Sequence, residues 1–240
     1  MDPSFVAIIQ ECAKGVPAEI MAAVASVESG FNPYAIRMNS SGRGSAGLSR
    51  QPTTKQEAVA KAKALSLAGH DLDLGLMGLP AASFGAYGIT IEQAFDACTS
   101  LRVASTRLKM LTKAAEMRGL PRAKADQDAL AAYFGNGDAE LGREAGYPAH
   151  IMRVRSTLAG RLATLTISPS ERPLPARQGA SSSDLDGTEA AAADLERVQT
   201  KPPAARRIEA SPAESPGWDV YASMQQRGTT LLVYSRPERQ

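Results

Sequence analysis

Apolar residues recur at helical intervals through most of the first 165 positions, and the periodicity then stops. From Pro17 to Ser29, with 3.6 residues per turn, Ile20, Val24 and Val27 share one face. Pro17 suits a first helical position and Gly30 the position just past the end. Asn32-Pro33 signals a turn. In AIRMNSSGRGSAGLSRQP the pairs Ser41-Gly42 and Arg43-Gly44 invite a hairpin of two short strands. Thr54 and Glu57 form a capping-box pattern for a helix that carries Ala58, Ala62 and Leu65 on one face and ends before Gly69. Another helix is expected after Thr99, with Leu101, Ala104, Leu108 and Leu111 in step, and a shorter one over Asp126 to Phe134. The last is expected from Pro148 to about Thr164, facing Ile151, Val154, Leu158 and Leu162 inward. Many short helices around one small hairpin make an α+β domain, mostly α.

Composition divides the chain into three stretches: residues 1–165, 166–216 and 217–240. The second holds seven of the fifteen prolines, with Ser, Ala and Glu. Such a segment buries too little surface to offset chain entropy, so it reads as a disordered linker. The third turns apolar again, with Trp218 and the β-leaning run Thr229 to Tyr234. It is too short to fold alone. It reads either as a disordered tail with a sticky patch or as a peptide that adds to a partner's sheet edge.

A formal net charge of +2 argues against a dedicated nucleic-acid protein. No apolar run approaches the roughly 18 residues of a membrane helix. MDPSFVAIIQECAKG lacks a basic residue before its short apolar stretch, so it makes a poor signal peptide and, taken alone, reads as cytoplasmic. Cys12 and Cys98 are the only cysteines and there are two histidines, so no metal site is expected. The two cysteines read either as separate buried thiols or as a bridge between the N-terminal helix and a later one.

Glu28 is the informative residue. It falls one turn after Val24, at the edge of the apolar arc and near the helix C-terminus. Burial and the negative end of the helix dipole both disfavour its charged form. A carboxyl kept protonated near neutral pH is what cleavage of a glycosidic bond asks of its general acid. On periodicity alone the ordinary reading is a side chain that snorkels into water.

The words around it change that balance. IMAAVASVESGFNPYAI resembles the first motif of the soluble-lytic-transglycosylase family, in which a Glu-Ser pair ends a helix and leads into a Phe-Asn-Pro turn. GLMGLP at 75–80 resembles the second motif, AAYFGNG at 131–137 the Ala-Tyr-Asn-x-Gly motif, and GYPAHIMRV at 146–154 the closing segment. RQPTTKQEAVAKAKALSLAGHDLDLGLM and FDACTSLRVAS look like the VirB type of type IV secretion and conjugal-transfer systems, as do Cys12, the Pro-rich linker and a tail with Trp218-Asp219-Val220.

The resemblance implies a lysozyme-like fold and a peptidoglycan lytic transglycosylase, with Glu28 as acid and then base. No second carboxylate is needed, because the muramic C6 hydroxyl closes onto C1 and leaves a 1,6-anhydro end. It implies substrate-binding roles for Ser29, Met77, Gly78, Tyr133 and Tyr147. Ser29 is expected to shape the helix end, Met77 to line the sugar cleft, and Tyr133 to point its hydroxyl at Glu28. No cofactor is implied. The implied partners are glycan strands and secretion-system subunits, the latter through residues 217–240, and the implied compartment is the periplasm or cell envelope despite the N-terminus. Asp71 and Asp73 are candidates for a second carboxylate that would restore plain hydrolysis, although solvated loop residues are the expectation. Gly78 stands where the family has glutamine and Phe134 where it has asparagine. These departures motivate the alternative, a weak or inactive glycan-binding scaffold.

Overall fold

The first helix, α1 (Phe5–Cys12), leads through Ala13 into α2 (Ala18–Ser29). Pro17 stands just before α2 and Gly30 ends it in the left-handed region. Met21, Ala22, Ala23, Val24 and Ala25 are all fully buried. The expected one-sided arc is therefore replaced by a helix enclosed on every side in its middle, with Ile20 and Val27 only half-buried. Three alanines among five residues keep the helix thin, so neighbouring helices pack closely around it. Gly30 N–H returns to Ser26 O (3.0 Å) and Phe31 N–H to Ala25 O (3.4 Å), turning the chain sharply after Glu28. Phe31 holds a positive φ of 66° and sets its ring edge-on against Phe5, 5.2 Å between centroids. That contact ties α1 to the end of α2.

The hairpin follows as β1 (Ile36–Ser40) and β2 (Gly44–Gly47). Next come α3 (Lys55–Leu67), β3 (Asp71–Leu74) and β4 (Leu79–Pro80). All pair antiparallel in the order β2-β1-β3-β4. Strands β3 and β4 were not anticipated: four and two residues are too short to show a period. Ile36 lies opposite Leu74, and Leu74 opposite Leu79, forming the apolar face; Gly47, Arg37, Asp73 and Pro80 form the next row on the other face. Gln51, fully buried, bonds Ile36 N–H and C=O at 2.9 Å each, acting as a strand neighbour. Thr54 caps α3 as expected, accepting from Glu57 N–H, while the Glu57 carboxylate reaches back to Thr53 N–H rather than to Thr54.

A short α4 (Phe84–Tyr87) and α5 (Ile91–Ala94) precede the long α6 (Ala97–Met117). Helix α6 starts three residues before the expected place because Asp96 caps it, accepting from Thr99 N–H at 2.8 Å. Then come α7 (Arg122–Phe134), α8 (Ala139–Glu144) and α9 (Tyr147–Leu158), with a 3-10 turn at Ala159–Thr164. Of the four residues expected inward on the last helix, only Ile151 is fully buried; Val154, Leu158 and Leu162 lie half-buried against the core. The result is a mostly helical α+β domain with one small sheet, as the pattern implied.

The computed structural model describes residues 5–40 and 44–176, without the side chains of 40 and 44–46. Residues 217–240 and most of the stretch read as a linker lie outside them. Its first eleven residues, 166–176, do not: they lie against the domain, with Ser168 N–H on Phe31 O (3.2 Å) and Gln51 N–H on Glu171 O (3.1 Å). Composition missed this because these contacts are backbone hydrogen bonds, which need no apolar side chain. No described helix is long and apolar enough to cross a membrane.

Cys12 and Cys98 are joined, with Cα atoms 5.2 Å apart, so α1 is bound to the start of α6. The bridge closes a separation of 86 residues. Loop-closure entropy for that length makes it worth roughly 4–5 kcal/mol. A Cys12→Ser/Cys98→Ser double variant is expected to melt well below the oxidised protein in a thermal scan. An unchanged midpoint would contradict the assignment.

Candidate active site

Glu28 sits in the last turn of α2 and is 1% exposed. It does not snorkel. Tyr147, the first residue of α9, donates its hydroxyl to Glu28 Oε1 at 2.6 Å. Gly146, left-handed at φ 63°, and Pro148 in the first turn set where α9 begins, and therefore where this hydroxyl points. Burial raises the Tyr147 phenol well above its ordinary pKa, with Tyr133 adding to the rise, so it serves as a donor at any physiological pH.

Tyr133 does something else. Its hydroxyl goes not to Glu28 but to Met77 O, at 2.7 Å. The reason is the packing: α9, which carries Tyr147, packs along α2, whereas Tyr133 on α7 meets the turn between β3 and β4. Arg107 stands 4.9 Å over the Tyr133 ring and donates to Tyr133 O and Asn136 Oδ1. Burial raises the Tyr133 phenol too. Phe134, in the asparagine position of the motif, packs its ring on Tyr147 with centroids 5.1 Å apart. An apolar contact there steadies the tyrosine that holds Glu28.

Ser29 shapes the helix end as expected: its hydroxyl lies 2.9 Å from Ala25 O and 2.7 Å from Leu76 O, fastening α2 to the second motif. Met77 is buried in the core, not on an open cleft wall; it brings to the site its backbone carbonyl, while its N–H is held by Ser100 Oγ at 3.1 Å. Gly78 has a φ of 58° and lies directly beneath the acid. A Cβ there would stand 2.7 Å from Glu28 Oε2 and 3.2 Å from Glu28 Cβ. The family's glutamine at this position would therefore require Glu28 to shift, and a left-handed non-glycine backbone as well.

The sequence reading missed a polar row behind the acid. Arg37 is 2% exposed, and its Nη2 donates to the backbone oxygen of Glu28 at 3.2 Å. Directly opposite it across the strands lies Asp73. Asp71 is exposed, as expected of a solvated residue, but Asp73 is not: it is a strand residue 5% exposed. Burial pushes its carboxyl up to about 6, and nearby Asp71 adds to the rise, against a hydrogen bond from Asn39 and the charges of Arg37 and Arg107. With Leu72 and Leu74 facing the core, Asp73 takes the other side of the strand, a placement that four residues do not show as a period and that follows only once β3 is known to be a strand. Among the described residues no cluster of metal-ligating side chains occurs.

The folded protein keeps the Asp73 proton up to about pH 6, whereas an unfolded aspartate releases it near 3.8. Ionisation of Asp73 thus opposes folding. Its stabilising proton is fully present below about pH 4 and lost as pH rises through 6, a change of up to roughly 3 kcal/mol. Asp73→Asn is expected to lose less melting temperature between pH 4.5 and pH 7.5 than the unaltered protein; equal losses would refute this account of the carboxyl.

The transglycosylase SLT domain family model matches residues 5–148, spanning the acid, the second motif, Tyr133 and Tyr147. The type IV secretion system protein virB1 of Brucella suis biovar 1 is 32% identical over 176 residues, covering 71% of each chain. The same protein of Brucella abortus biovar 1 matches to the same extent. Protein virB1 of Rhizobium radiobacter is 36% identical over 102 residues, 42% of this chain and 41% of its own. No solved structure matches. With its family match covering more than half its length and its Glu-Ser helix end built as described, this chain belongs to the SLT transglycosylase family.

Proposed function

We propose that this protein is a peptidoglycan lytic transglycosylase that opens the cell wall locally for a type IV secretion or conjugation apparatus, with Glu28 as its acid and base. The observation that carries the reading is a carboxyl 1% exposed at a helix end, with a tyrosine hydroxyl 2.6 Å from one of its oxygens. A carboxyl so enclosed resists ionisation, because the charged form loses its water. With Oε1 accepting from Tyr147, the acid proton belongs on Oε2, the oxygen over Gly78.

The chemistry then needs one residue. Glu28 Oε2 gives its proton to the glycosidic oxygen between N-acetylmuramic acid and N-acetylglucosamine, and the C1–O bond breaks. The carboxylate so formed takes the proton of the muramic C6 hydroxyl, whose oxygen closes onto C1. The products are a free 4-hydroxyl on N-acetylglucosamine and a 1,6-anhydromuramic end, and Glu28 returns to its protonated state. An intramolecular nucleophile replaces a positioned water by proximity. Tyr147 steadies the transient carboxylate by a charge-assisted hydrogen bond. Ser29 and the Met77 carbonyl hold the turn that puts Gly78 under the acid. Gly78 and Phe134 favour an active enzyme over a scaffold: the glycine admits Glu28, and the phenylalanine supports Tyr147.

The place of action follows from the substrate, which lies in the cell envelope outside the inner membrane. The Cys12–Cys98 bridge supports an oxidising compartment such as the periplasm. The names of the virB1 relatives support the secretion context. We assign residues 217–240 to contact with secretion-system subunits, and residues 177–216 to a linker.

Digestion of purified sacculi tests this reading. Soluble anhydro-muropeptides are expected by mass spectrometry, and Glu28→Gln should lower their release at least about 100-fold, the scale of lost acid–base catalysis. Tyr147→Phe removes one hydrogen bond to the carboxylate and should cost about ten-fold, by roughly 1.4 kcal/mol. Hydrolysed reducing ends in place of anhydro ends would refute the transglycosylase mechanism. Release that is indifferent to Glu28→Gln would remove Glu28 from the mechanism.

A further inference from the structure

Glu28, Arg37, Asp73, Tyr133 and Tyr147 are each 5% exposed or less. An acid that must meet a polymer is thus shut away, and the path of residues 168–176 gives a reason. The strap begins beside the turn after Glu28, where Ser168 N–H bonds Phe31 O and Asn32 Nδ2 bonds Ser170 O at 2.9 Å. It passes Gln51 and Arg50, the latter paired with Glu171 at 2.9 Å. It then crosses the sheet. A Cβ on Gly47 would stand 2.8 Å from Leu174 Cβ and 2.9 Å from Leu174 N. Leu174 therefore sits where a side chain of Gly47 would be. Pro175 O accepts from Arg37 Nη1 at 2.5 Å.

The side of the sheet so covered is the informative point. Gly47, Arg37 and Asp73 lie opposite one another in register, so they share a face. Arg37 reaches Glu28 O from that face, and the Asp73 charge is felt at the Tyr133 and Tyr147 hydroxyls. It is the face that looks onto the acid. Helix α2, helix α9 and the Gly75–Gly78 turn enclose Glu28 on its other sides and belong to the core. The strap is the piece that can leave. It lies beyond residues 5–148, the span of the family match. It has no helical or strand structure, and Glu171, Arg172, Pro173, Pro175 and Ala176 are exposed. Pro169, Pro173 and Pro175 have no N–H to give, so it cannot knit into the sheet as a fifth strand.

We infer that residues 168–176 are a built-in cover of the glycan groove, latched by Arg37, and that glycan reaches Glu28 only when this strap lifts. The inference rests on the transglycosylase reading above and names how its site is regulated. A partner or the wall itself that draws away the segment after residue 176 pulls on the cover directly, which couples opening of the site to assembly.

The full-length protein carries the test. Leu174→Glu puts a charge against the bare Gly47 backbone, and Glu171→Arg replaces the Arg50 pair with a repulsion. Both are measured for chitotetraose affinity by calorimetry, for anhydro-muropeptide release from sacculi and for melting temperature. If the cover hides about nine-tenths of the molecules, Leu174→Glu raises both affinity and rate about ten-fold, and Glu171→Arg moves both in the same direction by less. Folded variants that bind and cut no better than the unaltered chain, or worse, make the strap a brace and overturn the inference. Should Leu174→Glu lose its cooperative melt, Glu171→Arg decides by the same measure. If no form cuts sacculi, the transglycosylase reading fails, and the cover is then judged on affinity alone: tighter chitotetraose binding by the variants supports it, and equal binding ends it.

Discussion

A carboxyl group enclosed at the C-terminal end of a buried helix is the constraint on which the site depends. Ionising Glu28 there means leaving water and facing the negative end of the helix dipole. Three arrangements compensate. Tyr147 donates to Oε1, the Arg37 guanidinium takes up the backbone oxygen of the same residue, and Ser29 ties the following turn to Leu76. Each comes from a different part of the chain, so the acid is held only in the folded protein.

The rest of the domain serves to fix those three donors. Alanines along α2 let α9 approach closely enough for a tyrosine to span the gap. The disulfide holds α1 to α6, and Phe5 in turn holds Phe31, which closes the turn after the acid. Departures from the family pattern fit the same economy. Glycine at 78 removes a side chain that would collide with Glu28, and Phe134 trades a polar contact for a ring that packs on Tyr147.

Burial has a cost for an enzyme that acts on a polymer, because the acid must be reached as well as protected. The Pro-rich strap separates these demands in time. A segment with no helix or strand of its own, held by a few hydrogen bonds and the Arg50–Glu171 pair, seats against the sheet without belonging to it. The sheet that carries Arg37 and Asp73 is thereby a surface with two occupants in turn, the strap and the glycan.

Much of this was legible in the sequence by itself. The helix from Pro17 to Ser29, the hairpin after Asn32-Pro33 and the cap at Thr54 follow from local propensity and turn chemistry, which need only neighbours in the chain. Glu28 was marked by its place on the apolar arc and by the words around it. Tertiary structure alone decided which tyrosine meets it. Tyr133 and Tyr147 are equivalent as residue types, and only the docking of α9 on α2 separates a donor to the acid from a donor to Met77 O. It also decided that Asp73 is buried, since a four-residue strand has no period to read, and that Arg37 lies behind Glu28. Residues 166–176 read as linker because composition records what apolar side chains can bury, and this segment is held chiefly by backbone hydrogen bonds and the Arg50–Glu171 pair.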